Sequence, residues 1–238
     1  MQKTLARSPQ IFTAHRSTFR ARVLESAEVH LNAESIEYDK MIRRHFWLLN
    51  QPFVRMLSNS GLRKGRVLDI GTGPGWIPIE LALRHPEWEF WAVDASAETL
   101  AIAQKNAASA GVASRLHFQF DDATHLPFST GSFDLVYSHF TLHHIHQPVE
   151  MLDEMARVTR GGGRIFVKDL LRLSQLKTAC VQAFSKYVLR YNALQLRMYR
   201  ESIDAALTLE EVRAILKDSR LSMARLSVFR GVDFLVAT

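Results

Sequence analysis

Three glycines stand at alternate positions, Gly71, Gly73 and Gly75, in the stretch VLDIGTGPG from Val67 to Gly75. A backbone this bare can turn sharply and approach a ligand with no Cβ in the way. A helix follows, and its free N–H groups point at the same place. A second group is Asp94, nineteen positions after Gly75. A carboxylate there can accept both hydroxyls of a ribose, so the ligand contains a nucleoside. A third is Asp121-Asp122-Ala123. The Asp122 carboxylate and the Ala123 N–H match the edge of an adenine, whose amino group donates and whose ring nitrogen accepts. Asp121 is expected to be the more exposed of the two acids. The spacing G-x-G-x-G also differs from the dinucleotide pattern G-x-G-x-x-G.

These groups need strand ends to hold them. "GRVLDI" reads as a buried strand and "WIPIELALRH" as a helix with Pro78 in its first turn, where a missing N–H costs little. "EFWAVDA" is a second strand, and Ser96 caps a helix that Gly111 stops. "RLHFQF" and "SFDLVYS" are the third and fourth strands. "PVEMLDEMARVTR" is a helix stopped by Gly161, Gly162 and Gly163, and "RIFVKDL" is the fifth strand. Regular alternation predicts an α/β fold, a parallel sheet with helices on both faces. From Leu173 to Glu201 there is no Gly or Pro, and one helix is expected. On it Phe184, Tyr187, Tyr191, Leu194 and Met198 share a face, with Lys186, Arg190, Arg197 and Arg200 opposite. Thr208 and Glu211 form a capping box for another helix, and "ARLSVF" and "DFLVAT" close the chain as a hairpin.

Asp69 to Gly75, Val93-Asp94, Asp121 to Ala123 with Leu126-Pro127-Phe128, and "FDLVYSHFTLHHI" together resemble the class I S-adenosylmethionine-dependent methyltransferases. The similarity covers roughly residues 38–170. It is strongest to the small-molecule branch that includes the ubiquinone and menaquinone C-methyltransferases. "EYDKMIRRHFWLLNQPFV" is similar to the N-terminal cap of such proteins. The resemblance implies a Rossmann-like, seven-stranded, mostly parallel sheet whose last strand is antiparallel, with a helical lid after the fifth strand. It implies S-adenosyl-L-methionine as cofactor and S-adenosyl-L-homocysteine as product. Gly71 and Gly73 would face the methionine part, with Asp69 nearby and the backbone around Ser138 lining that side. Asp94 would hold the ribose and Asp122 the adenine. Tyr38, Thr72, Gly75, Ala95 and Ala123 complete the implied cofactor set. The family often has Gly where Asp121 stands.

A sulfonium methyl needs little beyond a nucleophile placed in line with the S–CH3 bond. A general base helps where the acceptor is a hydroxyl, a thiol or an activated carbon. His139, His143 and His144 follow the fourth strand, and His143 is the candidate base. The tetrad N/D-P-P-Y/F of adenine N6 and glutamine methylation is absent there; the chain has Ser138-His139-Phe140-Thr141. Cytosine C5 methylation needs a cysteine nucleophile, and the single cysteine, Cys180, lies in the tail. The acceptor is therefore expected to be a small apolar or aromatic molecule rather than nucleic acid. The alternatives are an RNA methyltransferase, a nicotinamide enzyme on the same sheet, and a non-catalytic protein that binds S-adenosylmethionine. The aromatic stripe of the tail has two readings: ordinary core, or, with the segment around Tyr38 and Phe46, a lid over the acceptor.

The chain has 238 residues, 47% of them hydrophobic, enough for one domain with a sizeable core. No apolar run reaches the roughly 18 residues that span a bilayer. One cysteine excludes an internal disulfide and a cysteine-held metal cluster, no other metal site is expected, and the cytoplasm is the expected location. The net charge is +6, part of it in a basic, acid-free start over residues 1–24 that reads as a flexible or loosely docked arm, the alternative being a mitochondrial transit peptide. Residues 25–238 form the single domain: a helical cap over 28–60, a cofactor-binding core over 61–171, and lid helices with closing strands over 172–238.

Overall fold

The structure, a computed structural model, describes residues 22–23 and 32–238. The basic arm expected over residues 1–24 therefore lies outside the described residues, Arg22 and Val23 apart, as does the start of the expected cap. Helices α1 (Asn32–Leu49) and α2 (Gln51–Ser58) lead into β1 (Gly65–Ile70), α3 (Trp76–Arg84), β2 (Trp88–Asp94), α4 (Ala97–Ser109) and β3 (Leu116–Phe120). Then come β4 (Phe133–His139), α5 (Pro148–Val158) and β5 (Thr159–Leu170). The tail holds α6 (Gln175–Tyr187), α7 (Ala193–Ala205), α8 (Leu209–Asp218), β6 (Arg225–Phe229) and β7 (Asp233–Ala237).

The seven strands form one sheet in the order β3-β2-β1-β4-β5-β7-β6. β7 is antiparallel to both neighbours, and the other pairings are parallel. The chain thus moves outward from β1 in one direction and then returns to β4 on its other side. That reversal leaves a crevice beyond the carboxyl ends of β1 and β4, where ligands bind in open sheets of this kind.

Side chains alternate across each strand, so each face has its own core. Leu68, Ile70, Val136, Val167 and Phe234 pack on Met151, Leu152, Val212 and Leu216 of α5 and α8. Val67, Phe90, Leu135 and Tyr137 pack on Phe53, Leu57, Leu81 and Tyr191 from α2, α3 and the tail. Each such aliphatic or aromatic side chain adds about 1.5–3 kcal/mol on burial. Ser96 Oγ caps α4 by accepting from Thr99 N at 3.2 Å. Thr208 and Glu211 exchange hydrogen bonds at the start of α8, as their spacing predicts.

Two expectations are corrected. The glycines 161–163 do not stop α5, which ends at Val158; they lie within β5, where the pairing with β4 shifts between Phe133 and Leu135. Gly162 takes φ +78 there, a bulge geometry that glycine permits. The tail is not one helix either. It breaks between Tyr187 and Ala193, where Arg190 turns left-handed at φ +56 and Asn192 begins α7 with a capping box to Gln195. The break turns Leu189 and Tyr191 into the core and separates them from Phe184 and Tyr187, which point outward. The basic side chains of α7 are partnered: Arg197 pairs with Glu34 of α1, and Arg200 lies 3.7 Å from Asp204.

Candidate active site

The glycine turn is drawn tightly against the strand beside it. The N–H groups of Gly71 and Thr72 both donate to the Val93 carbonyl, at 2.8 and 3.0 Å. All three glycines adopt positive φ, +73 at Gly71, +55 at Gly73 and +78 at Gly75. At Gly71 a Cβ would lie 2.1 Å from Thr141 Oγ1, so the turn also needs glycine for close packing. At Gly73 the nearest atom to such a Cβ is Tyr38 Cε1 at 3.5 Å, leaving room over the turn that a side chain would occupy.

Asp94 ends β2 and reaches across this turn. Its Oδ2 accepts from Gly73 N at 2.8 Å and its Oδ1 from Ser96 N at 3.0 Å. Helix α1 lies on top. Asp39 Oδ1 accepts from Trp76 Nε1 at 2.8 Å and from Asn106 Nδ2 at 2.9 Å, and Asn106 also donates to the Pro74 carbonyl. Those bonds tie α1 to α3, α4 and the glycine turn, and so place Tyr38 beside Gly73.

Asp69 is buried under the turn. Burial pushes its carboxyl up to about 7; Thr72 and Tyr137 act in the other direction, and Asp94 adds to the rise. Ser138, at the end of β4, is wholly buried and its Oγ has no hydrogen-bond partner. Beyond β3, Asp122 Oδ1 accepts from both the N–H and the hydroxyl of Thr124, at 2.8 Å each. Ala123 is buried, and Ala95 is exposed at the start of the turn into α4. The expected order of exposure is reversed: Asp122 is exposed, while Asp121 is drawn in by Gln119 Nε2 at 2.9 Å.

The three histidines separate. His143 is 2% exposed, with Nδ1 at 2.6 Å from Asp169 Oδ1 and its backbone N–H donating to Asp169 Oδ2 at 3.2 Å. Burial alone would push the Asp169 carboxyl up, but His143 and the Leu170 N–H bring it below its usual value. His144 is half-buried beside His143. His139 faces the other side of the sheet, toward Phe53 and Tyr137. There Lys168 Nζ approaches its Nε2 at 3.3 Å and pairs with Asp233 at 2.8 Å. The sequence reading missed this last cluster. Its signal was the charged pair Lys168-Asp169 inside an otherwise apolar strand.

Residues 67–163 match the family described as "Methyltransferase domain". Over those residues the chain is similar to a methyltransferase domain. The family's cofactor is S-adenosylmethionine, and the turn suits it. The bare, left-handed backbone would admit a methionine chain, the Asp94 carboxylate could accept from ribose hydroxyls, and the buried Ser138 hydroxyl lacks a partner. The chain is 31% identical over 106 residues to a ubiquinone/menaquinone biosynthesis C-methyltransferase of Geotalea daltonii, covering 44% of this chain and 45% of that protein. It is 30% identical over 161 residues to a 27-O-demethylrifamycin SV methyltransferase of Amycolatopsis mediterranei, covering 67% of this chain and 55% of that one. The chain thus spans about half the length of these curated relatives. A putative S-adenosyl-L-methionine-dependent methyltransferase of Methanococcus maripaludis shares the fold at TM-score 0.68 and 18% identity, over 90% of this chain and 95% of that one. Among the described residues, no helix is long and apolar enough to cross a membrane.

Proposed function

We propose that the chain transfers a methyl group from S-adenosylmethionine to a small, apolar or aromatic molecule. The observation that carries this is the left-handed glycine turn held beneath Asp94 at the reversal point of the sheet. When bound, the cofactor supplies an electrophilic methyl on a sulfonium, so the protein's task is placement. In this reading Gly71, Thr72, Gly73 and Gly75 line the methionine side with Asp69, Tyr38 and Ser138. Asp94 and Ala95 meet the ribose, and Asp122 and Ala123 the adenine. His143, locked by Asp169, shapes the turn after β4 rather than meeting the acceptor.

A small acceptor is supported by the carboxylates beside Arg197 and Arg200, which temper the basic stripe of α7. It is also supported by relatives named for quinone and rifamycin methylation. We place the protein in the cytoplasm, where an exposed free thiol such as Cys180 stays reduced. Of the expected cap, residues 32–60 are described, and with residues 172–238 they act as cap and lid around the core over 61–171. The test is calorimetry with S-adenosylmethionine and S-adenosylhomocysteine, then incubation of the protein and labelled cofactor with a metabolite extract. Binding at micromolar concentrations and label in a small molecule are expected. No binding of either compound overturns the reading.

A further inference from the structure

Lys168 is the least expected residue of the sheet. It lies at the carboxyl end of β5, between β4 and β7, and is 1% exposed. A buried ammonium is costly unless it is paired and hydrogen-bonded. Asp233 of β7 supplies the pairing at 2.8 Å, and the Phe140 ring lies 3.9 Å from Nζ. Phe140 is itself an outlier, a bulky residue held at φ +57 directly after β4. Left-handed backbone at such a residue costs about 1–3 kcal/mol, and strain of this kind collects at functional sites. Here it lays the ring against both Lys168 and His139.

His139 receives what this arrangement presents. An ammonium has three donors and no acceptor. Lys168 Nζ stands 3.3 Å from His139 Nε2, so Nε2 must accept and the ring proton must reside on Nδ1. Phe53 stacks on the ring at 5.0 Å, and Phe140 packs against it at 4.0 Å, tilted by 37°. Yet His139 is only partly buried. With Nε2 engaged by Lys168, Nδ1–H is the polar group of the ring left to meet a ligand. Along the sheet, Asp94 stands on β2, the glycine turn follows β1, and His139 and Lys168 end β4 and β5. A cofactor with its ribose at Asp94 and its methionine part over the glycines would present its methyl toward β4.

We propose that His139 Nδ1–H donates to an ionised oxygen of the methyl acceptor, a phenol or enol in class, and that Lys168, braced by Asp233, is the positioning residue that fixes this tautomer. The proposal rests on the methyltransferase reading given above. The acceptor's proton leaves to bulk water as the oxygen ionises. That oxygen keeps a lone pair for the N–H and uses another to form the O–CH3 bond, as the S–CH3 bond breaks and its electron pair stays on sulfur. No protein base is consumed. Burial, then Lys168, then His143 push the His139 imidazole well below its usual value, so near neutral pH the ring stays uncharged. The titratable and charged groups around this cluster are Lys168 of β5, Asp233 of β7 and His143 after β4, with Arg230 and Asp169 acting through Lys168.

The test begins with nitrogen NMR of histidine-labelled protein without ligand. His139 is expected as the Nδ1–H tautomer in the wild type and as Nε2–H in Lys168→Met. An Nε2–H tautomer in the wild type overturns the assignment, and that measurement needs no variant to fold. The second arm titrates 4-nitrophenol into the complex with S-adenosylhomocysteine and follows the phenolate absorbance. The bound phenol should ionise at lower pH than the free one. Its affinity should fall about tenfold in His139→Phe, as for a lost hydrogen bond to a charged group, with S-adenosylhomocysteine binding unchanged. Equal phenolate affinity in the variant overturns the proposal. Failure of the wild type to bind S-adenosylhomocysteine instead overturns the methyltransferase reading, while the ligand-free tautomer still decides the role of Lys168.

Discussion

The carboxylate of Asp94 accepts the backbone N–H of Gly73 at 2.8 Å, joining the ends of two adjacent parallel strands through the turn between them. Asp94 is thus both a candidate ribose ligand and a clasp on the loop that would hold the methionine. Asp94→Ala should weaken S-adenosylmethionine binding by about 1–3 kcal/mol, the range for bonds to a charged group. The N–H groups of Gly73 and Ser96 also lose their acceptor, so a modest fall in melting temperature should accompany it. Calorimetry and thermal unfolding of the same preparation check both, and unchanged affinity would remove Asp94 from the site.

Gly71 and Gly73 should separate folding from binding. A Cβ at Gly71 meets Thr141, so Gly71→Ala should unfold at distinctly lower temperature. At Gly73 there is no such clash, and the penalty is the left-handed backbone, roughly 1–2 kcal/mol. Gly73→Val should keep its far-UV circular dichroism and lose cofactor binding. Normal binding by this variant would mean that the ligand lies elsewhere.

Asp69 should make the protein pH-sensitive. With its carboxyl pushed up to about 7 from 3.8, the folded state holds a proton over that interval that the unfolded chain has released. Stability must therefore fall as pH rises through the window. Asp69→Asn should remove this fall and stabilise the folded chain at about pH 8, by roughly 1.4 kcal/mol for each unit of displaced pKa it relieves. A cationic cofactor favours the ionised carboxylate, so its binding near neutral pH should release a proton in the wild type but not in the variant. Calorimetry in buffers of different ionisation enthalpy measures that proton.

The tail aromatics should behave as two kinds of residue. Tyr191 is 8% exposed and packs against His45 and Tyr199, so Tyr191→Ala should cost about 3 kcal/mol of stability. Phe184 and Tyr187 are 47% and 72% exposed, and their replacement by Ser should leave the melting temperature almost unchanged. Equal melting temperatures for all three variants would show that the break between α6 and α7 does not hold in solution.

The sheet, its glycine turn and its capped helices were legible because local chemistry specifies them. Apolar runs of strand length, Ser96 and Thr208 at N-caps, and glycines before a helix each point one way. The tail misled because periodicity alone favours a continuous helix across the segment. Its interruption is set by the cavity that Leu189 and Tyr191 fill, a tertiary demand, although Asn192 with Gln195 spelled out the second start. Likewise Gly161 to Gly163 looked like a helix stop, while the register with β4 made them a bulge. The Lys168 cluster was hidden for a different reason. Its partners come from β4 and β7, and only the strand order brings them together.

That strand order also constrains how the molecule can be made. β7 follows β6 in the chain, yet it is the strand that β5 touches, and β6 joins the sheet only through β7. On a ribosome the five parallel strands can assemble while the rest is still being synthesised. Throughout that interval β5 presents an open edge, and Lys168 faces it without Asp233. No earlier strand among the described residues takes that place. A nascent chain halted before residue 233 would hold most of its core and still expose an unpaired strand beside an uncompensated charge, the kind of species that chaperones retain and proteases clear.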